Sequence, residues 1–369
     1  MTTAQLEIQL IAATVAVACA LPGVFLVLRR LALVSDAISH SILLGIVLAF
    51  FVVEDLTSPL LIVGAAATGV LTVLLIELLR RTGLVREDAA IGLVFPTLFS
   101  IGVVLIARFA DDVHLDIDAV ILGELAFAPF DRLVIADYDL GPKSLWVVGT
   151  ILVLNVLFIS VFYKELKLAT FDPALAVALG LSPALVHYGL MALVSVTAVG
   201  AFDAVGSILV VALMIAPPAT AYLLTDRLPV MLAVSGAVGI VSAIAGYWLA
   251  HAFDVSIAGS MTAAVGTLFA LTVLFAPDRG LVSAAKRRAR QRWDFAQAAL
   301  AVHLSQHERL PDAAEESRVD HLNRHFRWDP EFATQVVRRA ERRGLVLQHD
   351  GSLVLTEKGR TAARAATAS

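Results

Sequence analysis

Asp36 and His40 are the residues whose types and spacing could do chemistry. They stand four apart in Ser35-Asp36-Ala37-Ile38-Ser39-His40, inside a long apolar run. A helix places residues four apart on one face, so the carboxylate and the imidazole can reach one point. An ionisable group inside a membrane helix costs roughly 2.5–3.5 kcal/mol on insertion scales, which makes it a functional signal. If the helix enters the bilayer near Leu31, His40 lies roughly 13 Å deep at about 1.5 Å per residue, close to the midplane. Carboxylate oxygen with imidazole nitrogen suits Mn²⁺, Fe²⁺ or Zn²⁺ and disfavours Cu(I), which prefers sulfur. Spacing alone leaves two other uses open, a hydrogen bond that ties helices together and a proton relay.

Other polar residues are weaker candidates. Asn155 falls mid-span and could be a further ligand, although amides there more often join helices. Glu124 and Asp203, towards the outer side, read as gate or packing residues or as additional ligands. His187 reads as interfacial. Asp111, Asp112, His114, Asp116 and Asp118 form an acidic patch that would concentrate cations, meet a docking partner, or simply be a solvated loop.

The elements that must position these groups follow from composition. Apolar residues make up 59% of the 369 and charged residues only 16%, well below the quarter usual in soluble domains, so a bilayer is the natural solvent. Windows near 6–28, 33–53, 58–79, 89–108, 143–163, 184–201, 204–224, 229–251 and 256–276 each suit a membrane-spanning helix. Their connections alternate in charge. Arg29/Arg30, Arg80/Arg81/Arg86, Lys164/Lys167, Arg227 and Arg279 with Lys286–Arg288 mark one side; Glu54/Asp55, residues 111–118 and His251/Asp254 mark the other. The basic side is cytoplasmic by the positive-inside rule, which puts the N-terminus outside and the C-terminal part inside. The acidic flank at Glu7 and the length of the first run favour a span over a cleaved signal peptide. Residues 119–130 are apolar but too short to cross, and read as a re-entrant or interfacial segment. Pro217 and Pro218 predict a kink in the seventh span. Cys19 is the sole cysteine, so an intrachain disulfide and a thiolate metal cluster are both excluded.

Between the fifth and sixth spans runs LKLATFDPALAVALGLS. Asp172 is a good N-cap, Pro173 fits the first turn, and Gly180 suits the position past the end. A helix of about seven apolar residues on the cytoplasmic side would bury that surface in a partner's groove or pack under its own membrane domain.

Four stretches carry a family resemblance: GVFLVLRRLALVSDAISHSILLG, REDAAIGLVFPTLFSIGV, FDPALAVALGLS and VGSILVVALMIAPPATAYLL. In that order, over about residues 6–277, they resemble the permeases of zinc/manganese/iron-type ABC importers. The resemblance implies a multi-pass permease in the cytoplasmic membrane of a prokaryote, paired with a second copy or paralogue. It implies ABC ATPase subunits inside and an external metal-binding solute-binding protein. It maps the metal pathway onto Asp36 and His40, and the ATPase-coupling helix onto Phe171, Asp172, Pro173, Ala176, Leu179 and Gly180. The metal is then cargo, with no permanently bound cofactor. The chain contains no G-x-x-x-x-G-K-[ST] loop and no Gly-Lys dipeptide, so it is a transport subunit and not the ATPase. A larger cargo, such as haem or a siderophore, is the alternative, and the intramembrane Asp–His pair favours the bare ion.

The last part changes character. The first 285 residues hold 12 Lys+Arg against 21 Asp+Glu, whereas residues 286–369 hold 16 against 11. The expected division is a membrane domain over 1–280, a basic linker over 281–292 and a soluble domain over 293–369. Helical patterns near 293–307, 315–326 and 330–343 precede LVLQ and SLVL, joined by His349-Asp350-Gly351, a tight hairpin turn. This stretch resembles the winged-helix part of iron-dependent, diphtheria-toxin-repressor-like regulators. The fold class expected is therefore an all-α polytopic membrane protein plus a small cytoplasmic α+β winged-helix domain. Arg338, Arg339, Arg342 and Arg343 would suit phosphate contacts, yet beside an ATPase such a domain serves docking or regulation better than nucleic-acid binding. A regulator merely anchored in the membrane needs one span, not nine. His303, His307, His321 and His325 form two i,i+4 pairs, readable as metal ligands or as solvated helix faces.

Overall fold

The computed structural model describes residues 2–54, 58–109, 125–135, 138–308, 310, 313–349 and 351–368. It divides into two compact units, residues 1–280 and 281–369.

The first unit begins with α1 (Thr3–Leu28), α2 (Ala32–Val53), α3 (Pro59–Arg81) and α4 (Glu87–Phe109). A hairpin of β1 (Arg132–Ile135) and β2 (Tyr138–Pro142) leads into α5 (Lys143–Val161). The short α6 (Tyr163–Phe171) and α7 (Pro173–Ala178) precede α8 (Pro183–Val205), α9 (Ser207–Leu224), α10 (Leu228–Phe253) and α11 (Ile257–Phe275). Among the described residues, nine helices are long and apolar enough to cross a membrane: α1–α5 and α8–α11. They coincide with the nine windows expected from hydropathy. Pro217 and Pro218 are both buried within the single helix α9.

Helix α1 is the hub, with Ile11, Ala12, Val15, Ala16, Ala18 and Cys19 fully buried among α5, α8, α9 and α10. Lipid tails give apolar side chains no reason to leave them, so close packing of small residues has to hold such helices together. The α2–α3 seam illustrates this. Gly45 faces the backbone of Gly64, and Ser41 and Thr72 share a hydrogen bond of 2.6 Å. A short turn at Arg29–Leu31 joins α1 to α2. Arg30 takes a left-handed φ of 62° there, and the Leu31 amide donates back to the Leu26 carbonyl at 2.8 Å.

The sequence reading missed the β1–β2 hairpin and α6. The hairpin is short, and its Arg132 pairs with Glu7 of α1 and with Asp139; YKELKLATF buries only Leu166 and Ala169, three residues apart.

The second unit comprises α12 (Leu281–His307), α13 (Ala313–Glu316), α14 (Val319–Phe326), α15 (Pro330–Arg342), the antiparallel pair β3 (Val346–His349) and β4 (Ser352–Leu355), and α16 (Glu357–Ala368). Leu300, Leu304, Leu322, Val336, Val337, Val346 and Leu353 form its core. Residues 281–292, expected to be a linker, are instead the first turns of α12, as their Ala, Lys, Arg and Gln content favours. Two of the four arginines proposed for phosphate contact are engaged within this unit: Arg339 stacks on Trp293 at 3.9 Å, and Arg343 pairs with Asp294 at 2.6 Å.

Candidate functional site

Helix α2 buries Val34, Ser35, Ala37, Ile38, Ser39, Ser41 and Ile42, which leaves Asp36 and His40 on its remaining face. The serines on the buried face satisfy their hydroxyls locally: Ser39 donates to the Ser35 carbonyl at 3.0 Å and Ser41 to that of Ala37 at 2.8 Å. The polar capacity of Asp36 and His40 is thus not spent on the packed face. His40 Nε2 lies 3.4 Å from Asp36 Oδ1, and the two side chains are 39% and 40% exposed within this single chain. Two rings of α4 flank the imidazole, Phe95 with its centroid at 5.8 Å and Phe99 at 6.1 Å. The pair therefore combines one carboxylate, one imidazole and an aromatic wall, open on one side. Such a site offers a divalent cation two ligands and leaves the others to water or a second molecule. Phe95 and Phe99 were not singled out from the sequence; their four-residue spacing on α4 was the available signal.

Asn155 is fully buried and makes a different kind of contact. Its amide nitrogen donates to the Ala18 carbonyl at 2.8 Å and reaches Thr197 Oγ1 at 3.1 Å, while its carbonyl oxygen accepts from Thr197 Oγ1 at 3.2 Å. Both ends of the amide join α5 to α1 and α8, which is the helix-joining use expected of a mid-span amide. Asp203 lies in the last turns of α8, and its side chain is outside what is described. Glu124 and the acidic patch of residues 111–118 fall outside the described residues.

The short helix α7 is built as its sequence demands. Asp172 Oδ1 accepts from the Leu175 amide at 2.9 Å, Pro173 opens the first turn, and Gly180, at φ +80°, closes the end through amide bonds to Val177 and from Leu181 to Ala176. Ala176 is buried, whereas Phe171, Leu175, Val177 and Leu179 are exposed. These large apolar residues are exposed together on a connector outside the spans, the kind of patch that interaction surfaces show.

Arg29 links this connector to the α1–α2 turn. Its Nε donates to Thr170 Oγ1 at 3.0 Å, at the end of α6, while its Nη2 is buried and finds no acceptor among the described residues. Burial lowers the guanidinium pKa from its ordinary value. Sequence reasoning used Arg29 only as a topology marker; nothing in its neighbours indicated the long-range bond.

Comparison with known proteins places these features in a family context. Residues 3–276 match the model of the ABC 3 transport family. The chain is 48% identical to the zinc transport system membrane protein TroD of Treponema pallidum (strain Nichols), over 98% of both chains. That similarity therefore runs through the second unit as well. It is 49% identical to the manganese transport system membrane protein MntD of Bacillus subtilis (strain 168), over 73% of this chain and 91% of that one. A solved structure of PsaBC from Streptococcus pneumoniae in complex with Fab is 27% identical, with a TM-score of 0.62, covering 76% of this chain and 94% of that one.

Proposed function

This chain belongs to the ABC 3 transport family and is the membrane permease of a metal-ion ABC importer, and from that premise we propose that Asp36 and His40 ligate the ion as it crosses. The observation carrying this reading is their apposition at 3.4 Å on the open face of an otherwise apolar span. A bare dication in hydrocarbon is prohibitively unstable. One carboxylate supplies charge, one imidazole a nitrogen donor, and the open side admits water or the same pair from a second permease copy or paralogue. Two such pairs would give a set of two oxygens and two nitrogens, which suits Mn²⁺, Zn²⁺ or Fe²⁺. The ion is cargo, and no resident cofactor is required.

In this reading, an external solute-binding protein delivers the ion on the acidic side, and ABC ATPase subunits dock on the exposed apolar residues of α7 and its two ends, Phe171, Leu175, Val177 and Leu179, with Asp172, Pro173, Ala176 and Gly180 fixing the helix's shape. Movement of α7 would pass through α6 and the Thr170–Arg29 bond to the turn from which α2 starts, and so to the ligands. The second unit, with its helices followed by the β3–β4 hairpin, reads as a cytoplasmic winged-helix-like module that docks or regulates.

Uptake of labelled Mn²⁺, Zn²⁺ and Fe²⁺ tests this, in a host lacking its own metal importers and carrying the whole operon. Wild type should accumulate an ion and His40→Ala should not, at equal amounts of protein in the membrane. Normal uptake by His40→Ala would sink the ligand reading, and uptake only of chelated metal would point to a larger cargo.

A further inference from the structure

In the second unit, four imidazoles converge on one carboxylate. His303 and His307 come from successive turns near the end of α12, Glu316 from the end of α13, and His321 and His325 from successive turns of α14. Glu316 Oε2 lies 3.2 Å from His303 Nε2 and 3.9 Å from His325 Nδ1, and its Oε1 lies 3.1 Å from His321 Nε2. The ring of His303 is 4.5 Å from that of His307 and 4.7 Å from that of His325. Two ligand triads result, His303/His307/Glu316 and Glu316/His321/His325, with donor atoms in each within 4.8 Å of one another.

This cluster is awkward without a cation. His303 is only 4% exposed. Glu316 is 14% exposed, and its Oε2 is buried without a well-formed hydrogen bond. A buried carboxylate oxygen is costly unless it is paired or coordinated, and two helices turn nitrogen donors towards this one. A solvated helix face does not explain this convergence, because His303 is buried and Glu316 lies against histidines of two other helices.

We propose that this cluster is a second metal site, in which Glu316 and the histidines of α12 and α14 bind a divalent transition-metal ion. The donor set, rich in nitrogen with one carboxylate, suits Zn²⁺ and Co²⁺ ahead of Mn²⁺. Tetrahedral ligation at about 2.0–2.1 Å brings donors to about 3.3 Å apart, so the triads must tighten by up to about 1.5 Å. Rotation of the partly exposed His307 and His325 rings permits this. Bound metal would fasten α14, whose Leu322 is fully buried, onto α12. If the second unit lies in the cytoplasm, as the proposed topology has it, the site meets the ion after import and can report its level to the transporter; that consequence rests on the topology, but the site itself does not.

The test uses the full-length chain, purified in detergent without a polyhistidine tag and carrying Asp36→Asn and His40→Gln, so that the membrane pair cannot contribute. Co²⁺ is titrated, ligand-field absorption recorded, and retained Zn²⁺ measured by elemental analysis after dialysis. The expected result is the intense visible absorption of low-coordinate Co²⁺ and a retained equivalent of Zn²⁺, both weakened roughly 100-fold by Glu316→Gln. His307→Asn with His325→Asn, at the more accessible ligands, keeps the test valid should Glu316→Gln disturb folding, and should weaken binding similarly. Absence of Co²⁺ absorption, or binding unchanged in both variants, overturns the proposal. Because the transport pair is already removed, that failure would leave the uptake result untouched, and the converse holds too.

Discussion

Gly45 offers a direct test of how the helix bearing Asp36 and His40 is held. A β-carbon at Gly45 would sit 2.7 Å from the Gly64 carbonyl carbon, and closer still to its oxygen and to Thr68 Oγ1, where ordinary contact begins at 3.4 Å. The shortfall of about 0.7 Å at the carbonyl carbon involves backbone, which cannot rotate away, so α2 must move off α3. Overpacking of this kind costs typically about 1–3 kcal/mol. Gly→Ala also favours the helix by about 0.5–1 kcal/mol, whatever the surroundings. A matched control removes that contribution: Gly149 on α5 has nothing within 4 Å of its would-be β-carbon. Gly45→Ala and Gly149→Ala share the propensity gain, so their difference isolates the clash, about 1–3 kcal/mol. Retention of monodisperse protein after heating in detergent, read by fluorescence-detected size exclusion, should fall at a lower temperature for Gly45→Ala than for wild type and rise or stay level for Gly149→Ala. Metal uptake should also drop in Gly45→Ala by more than its loss of folded protein, because Asp36 and His40 travel with α2. Equal thermal behaviour of the two variants would refute the close α2–α3 seam and the argument built on it.

Two further outcomes follow from the contacts described. Val177→Glu, on the exposed face of α7, should leave the permease folded in the membrane but abolish uptake and co-purification of the ATPase; wild-type transport by this variant would remove α7 from the docking surface. Asn155→Ala loses buried bonds that join three helices, each worth about 0.6 kcal/mol on average in membranes. Its thermal stability should fall while the relative uptake of Mn²⁺, Zn²⁺ and Fe²⁺ is preserved, and a changed metal preference would make Asn155 a ligand after all.

The features legible in the sequence are those set by short-range rules. Nine spans were visible because a helix in lipid must be apolar along about 20 residues, and no soluble alternative produces that pattern nine times. Helix α7 was visible because Asp172, Pro173 and Gly180 each act within a few residues of themselves. Asp36 and His40 were visible as rare polar residues at helical spacing. What was missed depends on distance along the chain. The Arg29–Thr170 bond joins residues 141 apart, and the amide of Asn155 meets partners on two other helices. The β1–β2 hairpin has only four and five residues per strand, with a register shift between Arg132 and Val134, too little for an alternating pattern to declare itself. In the second unit the i,i+4 histidine pairs were readable, but Glu316, which gives them a common centre, was one acidic residue among many until three helices brought it between them.

Arg29 draws the coupling argument together. A guanidinium buried at the end of α1 is expensive unless its donors are used, and its Nε donates to the Thr170 hydroxyl at the end of α6. One residue later the chain turns through the left-handed Arg30, and α2 begins at Ala32, four residues before the carboxylate. A displacement of α6 carried by this bond would be applied at the point where the helix bearing Asp36 and His40 begins, and not somewhere along its length. A helix hinged at its end moves least near the hinge and most beyond it, so His40 shifts more than Asp36 for the same tilt. Tilting α2 would change the fit of the imidazole between Phe95 and Phe99 before it disturbed the carboxylate. Under the proposed ligand reading, release of the ion would then begin at His40, leaving the charge compensation of Asp36 until last.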